Sequence, residues 1–377
     1  MTELNQHLDN GLFISCLALF SLTILIQLYY IFFIFRRLAF YKTIDVFDEE
    51  IPLSIIIASR NDGEALQENL KYILNQKYSM FEVIVVNNNS IDNSKHVLSE
   101  LEKEYNHLKV VEFNNGKHMR PGKKLPLTIG IKAAKNKHLI FTDADCRPAS
   151  QLWLKTMAQG FSNMEEVILG YGPYHKTNGI LNTIIRYDTA WIGMNYFSFA
   201  LSKKPYMGVG RNLAYTKEAY LSVDGFKSHH SLASGDDDLF IQEVSKTSTL
   251  GIQIDPKSFC FSQSKKTYSD WINQKSRHYS TSTKYGFIKK LLLAIYPASL
   301  ILAWFSFVSL MIVGNAPFIF ITIMSLFYLL KWLIQGRCLF KLNERSFAFL
   351  FPFWDMFYSV LSPFIFLLGK TKRNNTW

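Results

Sequence analysis

Short apolar runs alternate with amphipathic stretches through the middle of the chain. The runs have the length and β-branched content of buried strands, and they lie at residues 53–58, 82–86, 108–113 and 138–142. The helices predicted between them, from polar starts and a 3.6-residue apolar period, cover residues 63–75, 92–104 and 123–134. This alternation predicts an α/β domain with a mostly parallel sheet flanked by helices.

Long uncharged segments lie on both sides of this domain. Residues 11–35 contain 25 consecutive positions without a charge, and about 20 are enough to cross a bilayer. Further apolar segments follow at residues 291–313, 316–330 and 346–369. We therefore predict one N-terminal and two to three C-terminal transmembrane helices. The last segment contains two prolines and an aspartate, so it fits a full span or a re-entrant pair.

Charged residues refine these membrane assignments. Glu3 and Asp9 precede the first apolar segment where a signal peptide carries basic residues, which favours an uncleaved anchor. Residues 179–201 are apolar too, but Arg186 and Asp188 lie among them, so we expect a buried or membrane-surface helix there. The predicted organisation is an anchor at 1–40, a central domain at 51–285 and a membrane region at 289–377.

Composition agrees with a membrane protein that carries a substantial polar domain. The 377 residues are 49% hydrophobic, 15% aromatic and 19% charged, with a formal net charge of +11. These values exclude a disordered, collagen-like or coiled-coil chain. Basic residues adjoin the apolar segments, so the positive-inside rule predicts a cytoplasmic central domain, and anionic lipid is favoured over nucleic acid as a partner. The four scattered cysteines indicate neither a disulfide framework nor a zinc site.

Two carboxylates end the fourth predicted strand. Asp143 and Asp145 are two positions apart, so on an extended chain their side chains point the same way. Like charges this close destabilise each other unless a cation lies near them. Mg²⁺ or Mn²⁺, held by carboxylates and diphosphate oxygens, would meet that need. A solvated turn at the end of a strand is the equally available alternative.

Polar loops follow the first two predicted strands and precede the third helix. Ligands of open α/β sheets bind at such strand ends, which makes Ser59, Arg60, Asn88 and Asp92 candidates for ligand contacts. The motif Arg120-Pro121-Gly122-Lys123-Lys124 opens a helix, where ammonium and backbone N–H groups could meet phosphate. Ordinary capping turns and a basic loop without a ligand explain the same residues.

Three adjacent carboxylates, Asp236, Asp237 and Asp238, lead into another amphipathic stretch. Acidic residues are favoured at helix N-termini, so one of them is explained by capping. Capping does not account for all three carboxylates. Carboxylates held together accept a proton more readily, which suits a general base.

The order of these motifs resembles that of the family 2 glycosyltransferases, in particular membrane-anchored bacterial members with a GT-A fold. The resemblance covers residues 51 to about 285. It implies an inverting hexosyltransferase of the inner membrane. A sugar would move from a nucleotide-diphosphate sugar to a lipid-linked or lipid acceptor, in cell-surface polysaccharide or glycolipid synthesis. It also implies a nucleotide-sugar site, formed by Ser59, Arg60, Asn88, Asp92, Lys123, Lys124 and Asp143.

The same resemblance implies roles for the remaining motifs. Asp145, with Asp143, would bind the metal. Asp236 is the base by its spacing to Leu239, although Gly235 replaces the usual partner acid and a shift of one residue would make it Asp237. The family's Q-x-x-R-W motif is represented at the acceptor and diphosphate by Gln274, Arg277 and His278, on an interfacial helix at about 268–288. The histidine in place of tryptophan disfavours processive synthesis.

Two other classes of protein compete with this interpretation. The first is a membrane-tethered nucleotide-sugar-binding protein that has lost catalysis, which would be expected to lack Asp236 and Asp237. The second is a transporter or channel, which is disfavoured because roughly 240 consecutive residues do not span the membrane.

Overall fold

The computed structural model describes residues 2–43, 49–114, 122–314 and 316–371. The chain divides into two compact units. Met1–Tyr41 and Tyr285–Leu367 form the first, and Lys42–Lys284 with Leu368–Trp377 form the second. We refer to them as the apolar-helix unit and the α/β unit.

The strands of the α/β unit include all four that the sequence predicts, with ends that differ by at most two residues. Their bounds are β1 (Leu53–Ser59), β2 (Phe81–Asn88), β3 (Leu108–Phe113), β4 (His138–Asp143), β5 (Arg147–Pro148), β6 (Val167–Leu169), β7 (Leu213–Thr216), β8 (Leu250–Ile252) and β9 (Cys260–Phe261). The main sheet has the order β3-β2-β1-β4-β7-β6-β8, while β5 pairs with β9. Strand β7 runs antiparallel to both of its neighbours, and the other pairs of the main sheet are parallel.

The helices of both units are numbered in chain order. They are α1 (Thr2–Tyr29), α2 (Arg36–Ala39), α3 (Gly63–Leu74), α4 (Ser94–Glu104), α5 (Lys124–Ala133), α6 (Trp153–Ala158), α7 (Ile180–Leu201), α8 (Lys217–Leu221), α9 (Asp238–Val244), α10 (Tyr268–Ser282), α11 (Phe287–Val313), α12 (Pro317–Lys341), α13 (Arg345–Phe349) and α14 (Phe351–Thr371). A π-helical segment, Tyr30–Phe35, joins α1 to α2.

The core of the α/β unit forms because the strands bury both faces. Ile55 and Ile57 of β1, together with Val83 and Val85 of β2, are fully buried on one side of the sheet. Helix α5 covers β1 closely, since a Cβ on Gly130 would lie 2.6 Å from the Ile56 side chain. Strands buried on both faces have no polar alternation, which explains their continuous apolar runs.

Helix α7 corresponds to the apolar stretch at residues 179–201. The sequence does not predict a transmembrane helix there, because Arg186 and Asp188 lie within it. It belongs to the α/β unit, and more than half of its residues are buried. The prediction of a buried helix is therefore confirmed. The predicted interfacial helix at about 268–288 is wrong in its extent, because α10 ends at Ser282 and α11 begins at Phe287.

The apolar-helix unit supplies four helices that are long and apolar enough to cross a membrane: Gly11–Ala39, Phe287–Val313, Pro317–Lys341 and Phe351–Gly369. One N-terminal and three C-terminal segments agree with the predicted number. The last is one continuous helix with Pro363 inside it, so the alternative of a re-entrant pair is not supported.

Buried polar contacts join these apolar helices. The Gln27 side chain donates to the Tyr296 carbonyl at 2.8 Å, which ties α1 to α11. Lys331 of α12 and Asp355 of α14 form an ion pair with an Nζ to Oδ2 distance of 2.5 Å, and both side chains are fully or almost fully buried. Polar groups in such surroundings are costly unless paired, so these contacts specify which helices pack together.

Candidate active site

The polar loops that follow β1, β2 and β4 meet at one edge of the sheet. Ser59 is in register with Asn87, and Ala58 is in register with Asp143. Parallel strands bring their carboxyl ends together, so residues far apart in sequence become neighbours. Ser59 is buried at the end of β1, and Arg60, which follows it, is half-buried.

Asp92 holds two of these loops together. One carboxylate oxygen accepts a hydrogen bond from the Gly63 N–H at 2.9 Å, and the other accepts from the Ser94 N–H at 3.1 Å. Burial raises the pKa of Asp92, but the hydrogen bonds from the Ser94 hydroxyl and from these two N–H groups together outweigh it and lower that pKa. The carboxylate that the resemblance assigns to nucleotide contact is thus engaged in joining the β1 and β2 loops.

Asn87 and Asn88, at the end of β2, differ in their surroundings. The Asn87 amide donates to Glu112 at 3.1 Å and accepts from the Ser90 hydroxyl at 2.6 Å. The Asn88 side chain is 1% exposed, and neither its amide nitrogen nor its oxygen has a hydrogen-bond partner among the described residues. A buried amide without partners is costly, which identifies Asn88 as a group suited to a polar ligand.

Asp143, Asp145 and Cys146 form a cluster whose candidate ligand atoms lie within 4.8 Å of one another. Asp143 is half-buried, Asp145 is exposed and Cys146 is buried. Burial raises the pKa of the Cys146 thiol well above its usual value, so the sulfur stays protonated and is a poor ligand for a hard cation. The two carboxylates remain as the donors, and they fit Mg²⁺ or Mn²⁺.

Lys123 and Lys124 point to different places. The Lys123 ammonium donates to Asp143 at 2.6 Å. Burial alone would lower the pKa of Lys123, but the carboxylates of Asp143 and Asp236 outweigh it and raise that pKa. Lys123 therefore keeps its positive charge beside the carboxylate cluster.

Lys124 is buried, and its ammonium donates to the His229 carbonyl at 2.6 Å and the Leu232 carbonyl at 3.1 Å. Burial lowers the pKa of Lys124 to about 8. The expectation that both lysines reach a diphosphate is thus unsupported for Lys124, which anchors the loop before the acidic triplet. Arg120 and Pro121 of the same motif lie outside the described residues.

The three adjacent aspartates have separate surroundings. Asp236 lines a small recess together with Lys123, Asp143 and Gly210. Asp237 caps α9, accepting from the Asp238 N–H at 2.7 Å and from the Gly210 N–H at 3.1 Å. Both oxygens of Asp237 are therefore occupied by backbone groups, whereas Asp236 faces the recess.

Electrostatics separate the same two carboxylates. Burial raises the pKa of Asp236, and the Lys123 ammonium opposes this rise. Burial and the carboxylates of Asp236 and Asp238 raise the pKa of Asp237. Beside Lys123, Asp236 retains its charge more readily than Asp237. Gly235, which stands where the family usually has an acid, adopts a φ of +107°, a conformation that favours glycine.

Gln274, Arg277 and His278 all lie on α10. The Gln274 amide donates to the Tyr174 hydroxyl at 3.0 Å, and the Arg211 guanidinium lies 4.3 Å from the centre of the Tyr174 ring. Arg277 is half-buried and His278 is exposed. The structure thus connects α10, through Tyr174, to the loop that carries Arg211.

Two charged residues near the cluster received no role from the sequence. Arg211 donates to the Ser262 hydroxyl at 2.7 Å and interacts electrostatically with Asp143 and Asp145. Asp62 accepts from the Arg60 N–H at 2.9 Å, and burial raises the pKa of Asp62. Arg211 lies in the segment 208–214, which already resembles the family's glycine-containing acceptor loop in the sequence, but that resemblance assigns no role to an individual residue. Asp62 carries no comparable motif.

Comparison with known families identifies the class of protein. The model described as "Glycosyl transferase family 2" matches residues 54–220, and that described as "Glycosyl transferase family group 2" matches residues 138–336, more than half of the chain. The chain therefore belongs to the family 2 glycosyltransferases, as the order of its motifs predicts.

Curated relatives match only in part. A beta-monoglucosyldiacylglycerol synthase from Nostoc sp. is 34% identical over 108 residues, which are 27% of this chain and 22% of that protein. A poly(ribitol-phosphate) beta-glucosyltransferase from Bacillus spizizenii is 29% identical over 124 residues, 32% of this chain and 19% of that protein. The match spans about a fifth of the length of these relatives.

A solved structure resembles most of the chain. It is a mannosyltransferase from Pyrobaculum calidifontis in complex with GDP-Man and Mn²⁺. The TM-score is 0.56 at 16% identity, and the alignment covers 93% of this chain and 99% of that one. At this identity the likeness establishes the fold, so the predicted GT-A architecture is confirmed.

Proposed function

We propose that this protein is a membrane-anchored inverting hexosyltransferase. It would move a sugar from a nucleotide-diphosphate sugar to a lipid-linked or lipid acceptor, in the synthesis of a cell-surface polysaccharide or glycolipid. The observation that carries the proposal is the recess that Asp236, Lys123 and Asp143 line together. It combines an acid suited to proton abstraction with a cation suited to a departing diphosphate.

In the proposed mechanism, Asp236 is the general base. Its carboxylate takes the proton from an acceptor hydroxyl while that oxygen bonds to the anomeric carbon. The bond from this carbon to the diphosphate oxygen breaks on the opposite side, which inverts the configuration. Lys123 and Arg277 stabilise the negative charge that develops on the leaving diphosphate, and Arg211 adds a third positive charge near Asp143 and Asp145.

The carboxylates of Asp143 and Asp145 would hold the divalent cation. Their oxygens match the preference of Mg²⁺ or Mn²⁺, and the protonated thiol of Cys146 does not compete. When bound, such an ion supplies Lewis acidity that neutralises diphosphate charge. Asp237 and Lys124 have structural roles in this mechanism. Asp237 caps α9, and Lys124 anchors the loop that precedes it.

Nucleotide recognition is assigned to the edge of the sheet around Asn88, with Ser59 and Arg60 beside it. Asn88→Leu is expected to weaken nucleotide binding about fivefold, because a hydrogen bond worth about 1 kcal/mol is lost. The melting temperature without nucleotide should not fall, since an unpaired buried amide is replaced by an apolar group of similar volume. Nucleotide titrations followed by calorimetry measure the first quantity, and thermal unfolding measures the second.

Asn69→Leu is the control for this prediction, because Asn69 lies on α3 and its amide donates to the Ala65 carbonyl. Nucleotide affinity should be unchanged in that variant. Undiminished affinity in Asn88→Leu would remove Asn88 from the proposed site.

The acceptor is assigned to the membrane because the chain has four helices able to cross one. A lipid or lipid-linked sugar would reach the α/β unit at the membrane surface. Arg36 and Arg37 lie at the end of the first candidate span, Gly11–Ala39, which supports an inner-membrane protein with a cytoplasmic α/β unit. The names of the two curated relatives, one a synthase of a glycolipid and one a glucosyltransferase of a polymer, are compatible with this acceptor class.

The test is a transfer assay in membranes that contain the full chain. Radiolabelled UDP-Glc, UDP-GlcNAc and GDP-Man are each supplied with a bacterial lipid extract, and the label in the lipid phase is measured. We expect one donor to label lipid, EDTA to suppress the label and Mn²⁺ or Mg²⁺ to restore it. Equal rates with free sugars as acceptors would contradict a lipid acceptor. Nucleotide-sugar binding without transfer would instead support the non-catalytic alternative.

A further inference from the structure

Helix α10, which carries Gln274, Arg277 and His278, is held at several points along its length. At its start, the Thr267 hydroxyl accepts from the Asp270 N–H at 3.1 Å and so caps the helix. In its middle, Lys275 forms an ion pair with Asp188 of α7, and both side chains are buried. The cap stabilises the first turn of α10, and the ion pair fixes the middle of the helix against α7.

The last turn of α10 is held by a different partner. The Thr281 hydroxyl lies within hydrogen-bond distance of a carboxylate oxygen of Asp238 and, at 2.8 Å, of the His278 carbonyl in its own helix. Thr281 and Asp238 are 1% and 6% exposed. The other oxygen of Asp238 accepts from the Leu239 N–H at 2.7 Å. The third member of the acidic triplet therefore joins the start of α9 to the end of α10.

Thr281 lies on the same face of α10 as the motif residues. Counted from Gln274, the three residues Arg277, His278 and Thr281 follow at positions +3, +4 and +7. Residues at these spacings lie on one face of a helix, so the four occupy one stripe along α10. Asp236 lies two residues before Asp238 on the other side of the contact. One hydrogen bond thus connects the stripe that carries the motif residues to the segment that carries the proposed base.

We propose that Thr281 and Asp238 are positioning residues that hold the acceptor-side face of α10 in register with Asp236. This inference rests on the proposed function. Neither side chain needs to touch a substrate. If the contact is lost, α10 keeps its cap and its ion pair with α7, but its last turn is free to move relative to Asp236. Transfer to the acceptor should then suffer while the nucleotide site around Asn88 is preserved.

The test compares three variants of the full chain in the membrane assay. Thr281→Val removes the hydroxyl at nearly constant volume, Thr281→Ser retains it, and Thr283→Val is the control. Thr283, the residue after α10, is exposed, and its hydroxyl donates to the Ser280 carbonyl at 3.0 Å. Each variant is measured for nucleotide-sugar affinity, for kcat and KM with the lipid acceptor, and for hydrolysis of the donor without transfer.

We expect Thr281→Val to lower kcat/KM for the acceptor about tenfold, the effect of about 1.4 kcal/mol in the transition state. Donor affinity should change less than twofold, the ratio of hydrolysis to transfer should rise, and Thr281→Ser should restore transfer. Unchanged transfer in Thr281→Val would overturn the inference. So would an equal loss in Thr281→Ser, or a parallel loss of donor affinity. Absence of transfer in the unmodified chain would instead refute the proposed function.

Discussion

Asp236→Asn is expected to lower kcat for glycosyl transfer by about a thousandfold, because an amide cannot accept the proton that a general base removes. Affinity for the nucleotide sugar should stay within a few-fold of that of the unmodified chain. The shape of the recess that Asp236 lines with Lys123 and Asp143 is retained in this variant. Single-turnover transfer and calorimetric binding measure the two quantities separately.

Asp237→Asn is the matched comparison, since it alters the adjacent carboxylate by the same chemical change. Asp237 serves as the N-cap of α9 and accepts from the Gly210 N–H, so we expect a smaller loss together with lower thermal stability. Full activity in Asp236→Asn would refute the assignment of the base. A complete loss confined to Asp237→Asn would transfer the role to Asp237.

The pH dependence of transfer follows from the same site. A general base acts in its ionised form, so activity should fall as the pH drops through the pKa of Asp236. That pKa is raised by burial, which moves the acid limb of the profile above the range of an ordinary aspartate. In Asp236→Asn this limb should disappear from whatever activity remains.

Lys331→Met is expected to destabilise the apolar-helix unit by about 3–5 kcal/mol, the usual cost of leaving one partner of a buried ion pair alone. The Lys331 ammonium contacts Asp355 at 2.5 Å, and the two side chains are 0% and 3% exposed. Methionine fills a similar volume, so the loss reports the unpaired carboxylate rather than a cavity. Thermal unfolding of the protein in detergent micelles measures the effect.

The double variant Lys331→Met with Asp355→Leu separates charge from packing. Removing both partners leaves no buried charge, so most of the lost stability should return. Lys290→Met, at an exposed lysine in the first turn of α11, is the control and should change the melting temperature little. If Lys331→Met unfolds at the temperature of the unmodified chain, the ion pair does not determine how α12 and α14 pack.

Much of the fold could be predicted from the sequence because its signals are local. Strands β1, β2 and β4 contain apolar runs that are buried on both faces, and the apolar helices need only length and hydropathy. The sequence predicts no strand beyond residue 142. There β6, β7 and β8 contain only three or four residues each, and their pairing depends on distant partners.

The candidate site was predictable to a similar extent. The short spacing is enough to bring Asp143 near Asp145, although β4 ends at Asp143 and the turn after it, rather than an extended chain, places Asp145. The acidic triplet is visible as a run. The direction in which a side chain points depends on the tertiary structure. No local pattern therefore shows that the Lys124 ammonium points inward to the His229 carbonyl while that of Lys123 contacts Asp143. The same holds for Asn87 and Asn88, because their difference depends on Glu112 of the neighbouring strand.

The ammonium group of Lys123 serves as the counterion of the Asp143 carboxylate. A divalent cation that approaches alone must compete with an ammonium group that already neutralises one carboxylate. If the cation binds together with a diphosphate, the displaced Lys123 ammonium can pair with the diphosphate instead of with Asp143. The free energy needed to open the ion pair is then spent once for both ligands. Thermodynamic reciprocity then makes each ligand raise the affinity for the other. At the proposed site we therefore expect heterotropic cooperativity between cation and nucleotide, because both ligands open the same salt bridge.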